Sequence, residues 1–155
     1  MDRGTVFRVF DVLARLALAG VFIYASWTKI DEPVAFARAV ANYRILPFEC
    51  IGPVAIVLPM VELLSGLALV FTKWSREAAL LIFGMMAVFL VGLTQAAVRG
   101  LDISCGCFGP EEATGRAAIV QTIVRDLLLL VPTVWLLVRP GGWLFGRASR
   151  PPSAA

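Results

Sequence analysis

Histidine is absent from the 155-residue sequence, and cysteine occurs only at Cys50, Cys105 and Cys107. Without an imidazole the chain lacks the commonest general base and the commonest metal ligand among protein side chains. Serine–histidine catalysis, cysteine–histidine catalysis and ordinary zinc sites are therefore disfavoured. Three thiols and a small set of charged side chains remain as the groups on which a function can be built.

Charge is also scarce, whereas apolar side chains are in excess. Charged residues make up 16% of the chain and apolar residues 59%, and the mean hydropathy is +0.84. A soluble domain has about 25% charged and about 45–50% apolar residues. The basic residues behind the net charge of +3 flank apolar blocks, so no nucleic-acid partner is expected. We expect a single membrane domain over 1–155, in contact with the lipid bilayer.

The apolar residues form four blocks, each close to the roughly 20 residues that cross a bilayer. These blocks predict four transmembrane helices, at about 8–28, 51–71, 78–98 and 117–138. The connection from Lys29 to Glu49 contains a segment, 33–44, that predicts a short amphipathic helix at the membrane interface. The tail at 139–155 is expected to be flexible. The predicted fold is an all-α bundle of four transmembrane helices, with the interfacial helix after the first span.

Several charged residues interrupt the predicted spans. Asp11 and Arg15 are four residues apart, so they can pair across one helical turn, and they argue against a cleaved signal peptide. Glu62 lies near the middle of the second span, where an ionisable side chain is costly and is therefore a functional candidate. We expect Glu62, Arg15 and Arg125 to form a polar cluster inside the bundle. A structural ion pair and a role in moving protons or substrate both remain open for Glu62.

The basic residues predict the orientation of the chain. The side that carries both termini has seven of them in its short segments: Arg3, Arg8, Lys73, Arg76, Arg139, Arg147 and Arg150. The other side has five, diluted by acidic residues in longer loops. The positive-inside rule then predicts cytoplasmic termini in a bacterial inner membrane. All three cysteines fall at the outer face, which is oxidising in bacteria.

The loop at 99–116 holds two cysteines separated by one glycine. In an extended chain Cys105 and Cys107 point to opposite faces, near the largest Cα separation that a disulfide accepts. Gly106 can adopt the backbone angles that bring them together, and Gly109, with the proline after it, ends the turn. A disulfide made in this way should be strained and readily reduced, which suits thiol–disulfide exchange.

The three thiols allow more than one function. In a redox function, Cys105 and Cys107 exchange with a partner, Cys50 is a candidate relay or resolving thiol, and Phe108 seats the loop or meets the partner. No cysteine lies near a cytoplasmic helix end, so turnover needs another electron donor or acceptor, of which a membrane quinone is the obvious one. The alternatives are binding and transport of a soft metal, Cu(I) or Hg(II), by the same thiols, an inert disulfide, a buried apolar role for Cys50, and a purely structural assembly subunit.

The sequence Asp-Ile-Ser-Cys-Gly-Cys-Phe-Gly at 102–109 resembles the MauE-type methylamine-utilisation membrane proteins, which belong to the broader DoxX-like group. The similarity covers most of 8–138 and includes Lys29 with the Asp-Glu-Pro that follows, the segment 42–47, Pro59 with Glu62, and Arg125 with Asp126. It implies a helical bundle that acts with a thioredoxin-like periplasmic partner, as a thiol–disulfide oxidoreductase if the exchange turns over. The bundle and its partner would together support disulfide formation or the maturation of methylamine dehydrogenase. The similarity in fold does not identify the substrate of this protein.

Overall fold

The computed structural model describes residues 3–71, 74–101 and 116–138, and this part of the chain is helical with short connections. The helices are α1 (Arg3–Asp31), α2 (Pro33–Asn42), α3 (Phe48–Val70), α4 (Ser75–Val98) and α5 (Arg116–Val138). The all-α prediction is confirmed for these ranges. The loop residues that include Cys105 and Cys107, and the tail at 139–155, lie outside them.

Within the described residues, three helices are long and apolar enough to cross a membrane: α3, α4 and residues Ala118–Val138 of α5. They match the second, third and fourth predicted spans to within a few residues. Their outward faces carry large apolar side chains such as Leu64, Val88 and Leu128, which would be a liability in water but suit a lipid environment. The first predicted span, 8–28, lies within the 29-residue α1. That α1 also crosses the bilayer, making four spans, stays a prediction.

The four long helices form a ring in the order α1, α3, α4, α5, and α2 packs against α3 and α1. Lys29 meets Glu62, while Ala19 and Ile23 lie beside Gly66, so α1 and α3 are antiparallel. We call the end where α1 and α4 finish and α3 and α5 begin the loop end, because the cysteine-containing segment joins α4 to α5 there. The opposite end is called the terminal end.

In the part of the chain that the structure describes, two apolar cores stabilise the ring, one toward each end. The terminal-end core is built from all four long helices, with Leu18, Leu69, Ile82 and Leu136 among its buried residues. Phe7 and Phe10 extend it by packing on Trp135, with ring centroids 6.0 and 5.3 Å apart. The loop-end core joins α4 to α5 through Leu93, Ala96 and Ile119. Between the two cores lies a layer of charged side chains that includes Lys29 and Glu62.

The end of α4 is set by a glycine. Gly100 has φ of +65°, a left-handed conformation that glycine adopts without a steric penalty. Its N–H donates to the carbonyl of Ala97 at 3.2 Å, and the N–H of Leu101 donates to the carbonyl of Ala96 at 3.1 Å. These two bonds form a Schellman motif, which satisfies carbonyls that the helix end would leave unpaired. The side chain of Leu101 packs on the loop-end core, which holds the start of the cysteine-containing segment there.

The short helix predicted at 33–44 is present as α2, with Pro33 at its first turn and Phe36 and Ala39 buried. It ends at Asn42, slightly earlier than predicted, because Arg44 takes a left-handed conformation with φ of +51°. Its position at a membrane interface stays a prediction.

The backbones of α1 and α3 come close together at Gly66. A Cβ atom there would lie 3.0 Å from Cγ1 of Ile23 and 3.3 Å from the carbonyl oxygen of Ala19. Small residues allow helix backbones to come this close inside a membrane. Gly66 is four residues after Glu62, so both lie on the face of α3 that meets α1. The contact at Gly66 therefore fixes the register of the two helices around Glu62.

Replacing Gly66 with valine should separate α1 from α3, because the added side chain overlaps backbone atoms as well as Ile23. We expect a loss of about 1–3 kcal/mol in the free energy of unfolding, as for other overpacked sites. The matched control is Gly52→Val on the same helix, since a Cβ at Gly52 meets nothing within 4 Å. Unfolding of both variants in detergent micelles measures the difference, and equal stability would contradict this packing.

Candidate functional site

A buried ion pair joins α1 to α3. Nζ of Lys29 donates hydrogen bonds to both carboxylate oxygens of Glu62, each at 2.6 Å. The Lys29 side chain is 6% exposed and that of Glu62 is 11% exposed. Charge-assisted bonds of this length are the strong ones, and they strengthen where water is excluded. The pair therefore stabilises both charges inside the bundle.

The tilt of helical side chains explains why these two residues meet. Each side chain leans toward the N-terminus of its own helix. Because α1 and α3 are antiparallel, Lys29 leans away from the loop end and Glu62 leans toward it, so the two converge. The prediction that Lys29 belongs to the connection after the first span is wrong. Lys29 lies in the last turn of α1, since its pairing with Glu62 lets the helix continue past the apolar run.

A second pair of charges lies on α5. Nη2 of Arg125 is 3.2 Å from Oδ1 of Asp126, whose side chain is 7% exposed, whereas that of Arg125 is 32% exposed. Lys29, Glu62, Arg125 and Asp126 line one cavity and are called the charged layer below. The layer contains two cationic and two anionic side chains, so its formal charge is zero.

The cavity around the charged layer has a volume of about 260 Å³ and receives residues from all five helices and from the segment after α2. Apart from the charged layer, its walls are mainly apolar and aromatic. Phe36 lies under Nζ of Lys29, which is 5.3 Å from the ring centroid, a cation–π distance. The rings of Tyr43 and Phe89 contact each other at 6.3 Å between centroids. The site therefore combines flat aromatic surfaces with hydrogen-bonding groups.

The cavity opens on the side of the bundle. Val88 and Ile45 both line it and are 75% and 47% exposed. The opening therefore lies between α4 and the segment after α2. Val88 is ten residues before the end of α4, which corresponds to about 15 Å along the helix axis. Because α4 is a candidate membrane span, this opening faces the depth at which lipid surrounds the protein.

The predicted cluster of Glu62, Arg15 and Arg125 is assembled only in part. Glu62 and Arg125 line the same cavity, but the bonded partner of Glu62 is Lys29. Arg15 pairs with Asp11 at 3.0 Å, which confirms the contact predicted across one turn. Arg15 is fourteen residues before Lys29, or about 21 Å along α1, and it is not among the described residues that line the cavity.

Lys29 and Asp126 are not among the predicted site residues, although helical spacing carries a signal for both. On α1 the buried positions recur every three or four residues and end on Lys29, after Leu18, Phe22 and Ala25. Asp126 likewise continues the buried stripe of α5, four residues after Thr122. A charged residue that continues an apolar stripe faces the bundle interior. This test identifies buried charges even where the apolar run has ended.

The cysteines are located at the loop end as far as the described residues extend. Cys50 is an exposed free thiol in the first turn of α3, so the alternative that it is a buried apolar residue is wrong. Cys105, Gly106, Cys107, Phe108 and Gly109 lie outside the described residues. Within the described ranges no three cysteine or carboxylate side chains are grouped to hold a metal ion. The soft-metal alternative stays a prediction, because it depends on Cys105 and Cys107.

The family model described as methylamine utilisation protein MauE matches residues 8–139, which include α2 to α5, all but the first five residues of α1, and the whole charged layer. The chain belongs to the MauE family. It is 32% identical over 119 residues to methylamine utilization protein MauE of Paracoccus denitrificans, covering 75% of this chain and 64% of the relative. The MauE proteins of Paracoccus versutus and Methylophilus methylotrophus are 31% and 27% identical, over 83% of this chain and 71% and 68% of theirs.

This MauE-family chain spans a little under two thirds of the length of the Paracoccus denitrificans relative. No solved structure matches it. Membership of the broader DoxX-like group stays a prediction.

Removing one partner of the Lys29–Glu62 pair should destabilise the bundle strongly, because the other charge would stay buried and unpaired. We expect Lys29→Met and Glu62→Leu each to cost about 3–5 kcal/mol. The double variant should recover most of that loss, which gives a large coupling energy in a double-mutant cycle. Unfolding in mixed micelles measures the free energy of unfolding of the unmodified protein, the two single variants and the double variant.

The control for this cycle is Arg38→Met, which removes a positive charge from an exposed position on α2. It should change the stability by no more than about 0.5 kcal/mol. Additive losses in the Lys29 and Glu62 variants would contradict a direct interaction between the two side chains.

Proposed function

We propose that this MauE-family protein exchanges thiols and disulfides with a thioredoxin-like partner through Cys105 and Cys107, at the periplasmic face of the inner membrane. The observation that supports this most directly is the location of the segment that carries them. It joins α4 to α5 at the loop end, and its flanking residues Leu101 and Ile119 contact the same apolar core.

Chain length supports the same location for the thiols. Cys105 follows Leu101 by four residues, and an extended chain spans at most about 3.6 Å per residue. Cys105 is therefore tethered within about 14 Å of a residue packed at the loop end, and Cys107, two residues later, within about 22 Å of it. With the termini in the cytoplasm, the loop end faces the periplasm, where disulfides form and persist.

The exchange needs no further reactant for its own balance. A thiolate of the reduced partner attacks one sulfur of the Cys105–Cys107 disulfide, and a mixed disulfide forms as the second cysteine leaves as a thiolate. The partner's other thiolate then attacks its own sulfur in the mixed disulfide. The partner leaves oxidised, two electrons remain on Cys105 and Cys107, and the two thiolates take up the two protons that the partner thiols lost. The reverse sequence reduces the partner.

Cys50 is the candidate third thiol in this scheme. It is exposed in the first turn of α3, which begins at the loop end. A thiol there is able to attack a mixed disulfide at Cys105 or Cys107 when the loop approaches α3. Cys50 would then resolve that species and pass the disulfide on within the same chain.

The biological context follows from the relatives. Each of the three relatives is a methylamine utilization protein by name. We therefore propose that the exchange supports disulfide formation in, or maturation of, a periplasmic protein of the methylamine dehydrogenase type. The chemistry at the cysteine pair is the same whichever protein receives the disulfide.

The Cys107→Ser variant, combined with Cys50→Ser, should trap the partner, because the Cys105 thiolate attacks the disulfide of the oxidised partner and no second thiol of this chain remains to resolve the mixed disulfide. We expect a covalent adduct on a non-reducing gel, which disappears on reduction, and the partner is identified from it by mass spectrometry. The Cys105→Ser variant tests the opposite assignment of the two thiols. The variant with serine at all three cysteine positions is the control and should give no adduct.

Alkylation of intact cells with a membrane-impermeant maleimide tests the location independently. Labelling of Cys105 and Cys107 only after mild reduction supports an external, labile disulfide. The proposed exchange would be overturned by two results together. No adduct would form, and the partner would keep the same redox state in cells that carry the variant with serine at all three cysteine positions.

A further inference from the structure

We propose that the cavity around the charged layer binds the head group of a membrane quinone. Binding of the quinone is inferred from the cavity alone. Its use as the electron acceptor for Cys105 and Cys107 rests on the proposed function.

The position of the opening selects a ligand that is dissolved in the membrane. Val88 and Ile45, at the rim, are apolar and exposed, and Val88 lies near the middle of a candidate span. A solute arriving from water would have to cross this apolar surface before it reached the charged layer. A molecule with an apolar tail reaches the opening by lateral diffusion and leaves the tail in the lipid.

The balance of charge selects a neutral head group. The formal charge of the layer is zero, with Lys29 and Arg125 opposed by Glu62 and Asp126. A free cation would gain little, because the Glu62 carboxylate is already compensated by two short bonds from Lys29. An anion would meet the Glu62 carboxylate in the same place. A plain acyl chain would leave the polar groups of the layer without compensation, which is costly in an apolar cavity.

The hydrogen-bonding groups suit both redox states of a quinone. The Lys29 ammonium has three donors, and its bonds to Glu62 use two of them, which leaves capacity for a carbonyl acceptor. A quinone oxygen accepts a hydrogen bond, whereas a hydroquinone hydroxyl also donates one, and carboxylates such as Glu62 and Asp126 are acceptors. A site with both kinds of group side by side stabilises the ligand before and after reduction.

The aromatic walls and the volume suit a single flat ring. Phe36, Tyr43 and Phe89 all line the cavity, and aromatic side chains pack favourably against a planar ring in stacked or edge-on arrangements. The cavity volume of about 260 Å³ is far larger than the roughly 30 Å³ of one water molecule. It is close to the lower end of the range of ligand pockets, about 300–1,000 Å³, as expected for a head group whose tail stays outside.

The redox step balances with this ligand. Oxidation of the Cys105 and Cys107 thiols forms one S–S bond and releases two electrons and two protons. The quinone takes up both electrons and both protons at its two oxygens and becomes a hydroquinone, which leaves through the opening into the lipid. The disulfide is thereby restored for the next exchange with the partner.

Photolabelling with an azido-ubiquinone tests the site directly. The full-length protein is reconstituted in nanodiscs, irradiated with the probe and digested, and the labelled peptides are identified by mass spectrometry. We expect label on α4 near Val88 to Gly92, or on the segment that contains Tyr43 to Leu46. Excess decylubiquinone should abolish the label, whereas decylbenzene, which has the tail but no quinone oxygens, should not.

A matched pair of glycine variants tests whether the ligand enters the cavity. Gly92 lines the cavity, with the Tyr43 ring 3.7 Å from an added Cβ, so Gly92→Phe would fill the space beside that ring. Gly84 is on the same helix, and a Cβ there meets nothing within 4 Å. Labelling should fall by about tenfold or more in Gly92→Phe and should be unchanged in Gly84→Phe.

The outcomes separate this inference from the proposed exchange. The variant with serine at all three cysteines should keep its quinone label, because the cavity residues are intact. Label that is competed equally by decylbenzene, that persists in Gly92→Phe, or that falls elsewhere on the chain would overturn the quinone site. Partner trapping with no specific label would refute the quinone and leave the exchange standing. Specific label without partner trapping would support the quinone site and refute the exchange.

Discussion

The Lys29–Glu62 ion pair is the interaction on which the rest of the bundle depends. Placing either charge alone inside a membrane domain would cost several kcal/mol, because no water is present to solvate it. The pair compensates this through two short bonds, and it does so only when α1 and α3 are antiparallel and in one register. The close approach at Gly66, one turn away, fixes that same register by packing. Electrostatics and packing therefore specify a single arrangement of the two helices.

The ion pair also explains why the bundle has a cavity between two cores. Apolar side chains near the ends of the ring interdigitate, as in the cores around Leu69 and Leu93. Between them, charged side chains need particular bonding directions and do not fill space as tightly as branched aliphatic ones. A pair of apolar residues would close this space and would often be as stable as the ions. The retention of charge here therefore fits a role in binding better than a role in stability.

Features that depend on residues close together in the sequence could be predicted, whereas features that depend on contacts between distant residues could not. The ends of α3 and α4 are encoded locally, by apolar blocks of bilayer length and by Gly100, so they were predicted to within a few residues. The pairing of Arg15 with Asp11 is also local, because both lie on one helix face. The partner of Glu62 is not local, since it depends on the rotation and depth of α1 relative to α3. A single apolar block specifies neither the rotation nor the depth of a helix. The first block also ends before Lys29, so this residue was predicted to lie in a connection.

The two candidate sites have complementary surroundings. The segment that carries the cysteine pair joins α4 to α5, and the positive-inside rule predicts that this end of the bundle faces the periplasm. In the proposed exchange, the soluble partner meets the pair at this end. No cysteine of the sequence lies near the opposite end, so thiols alone provide no route for electrons through the protein. In the proposed exchange, electrons that enter at the pair therefore leave sideways, into the membrane. The cavity opens in that direction, and its neutral charged layer holds hydrogen-bond donors and acceptors at one depth. The proposed coupling of a soluble dithiol to a membrane-dissolved acceptor needs both of these environments, a thiol pair at one end of the helix ring and a cavity that opens toward the membrane.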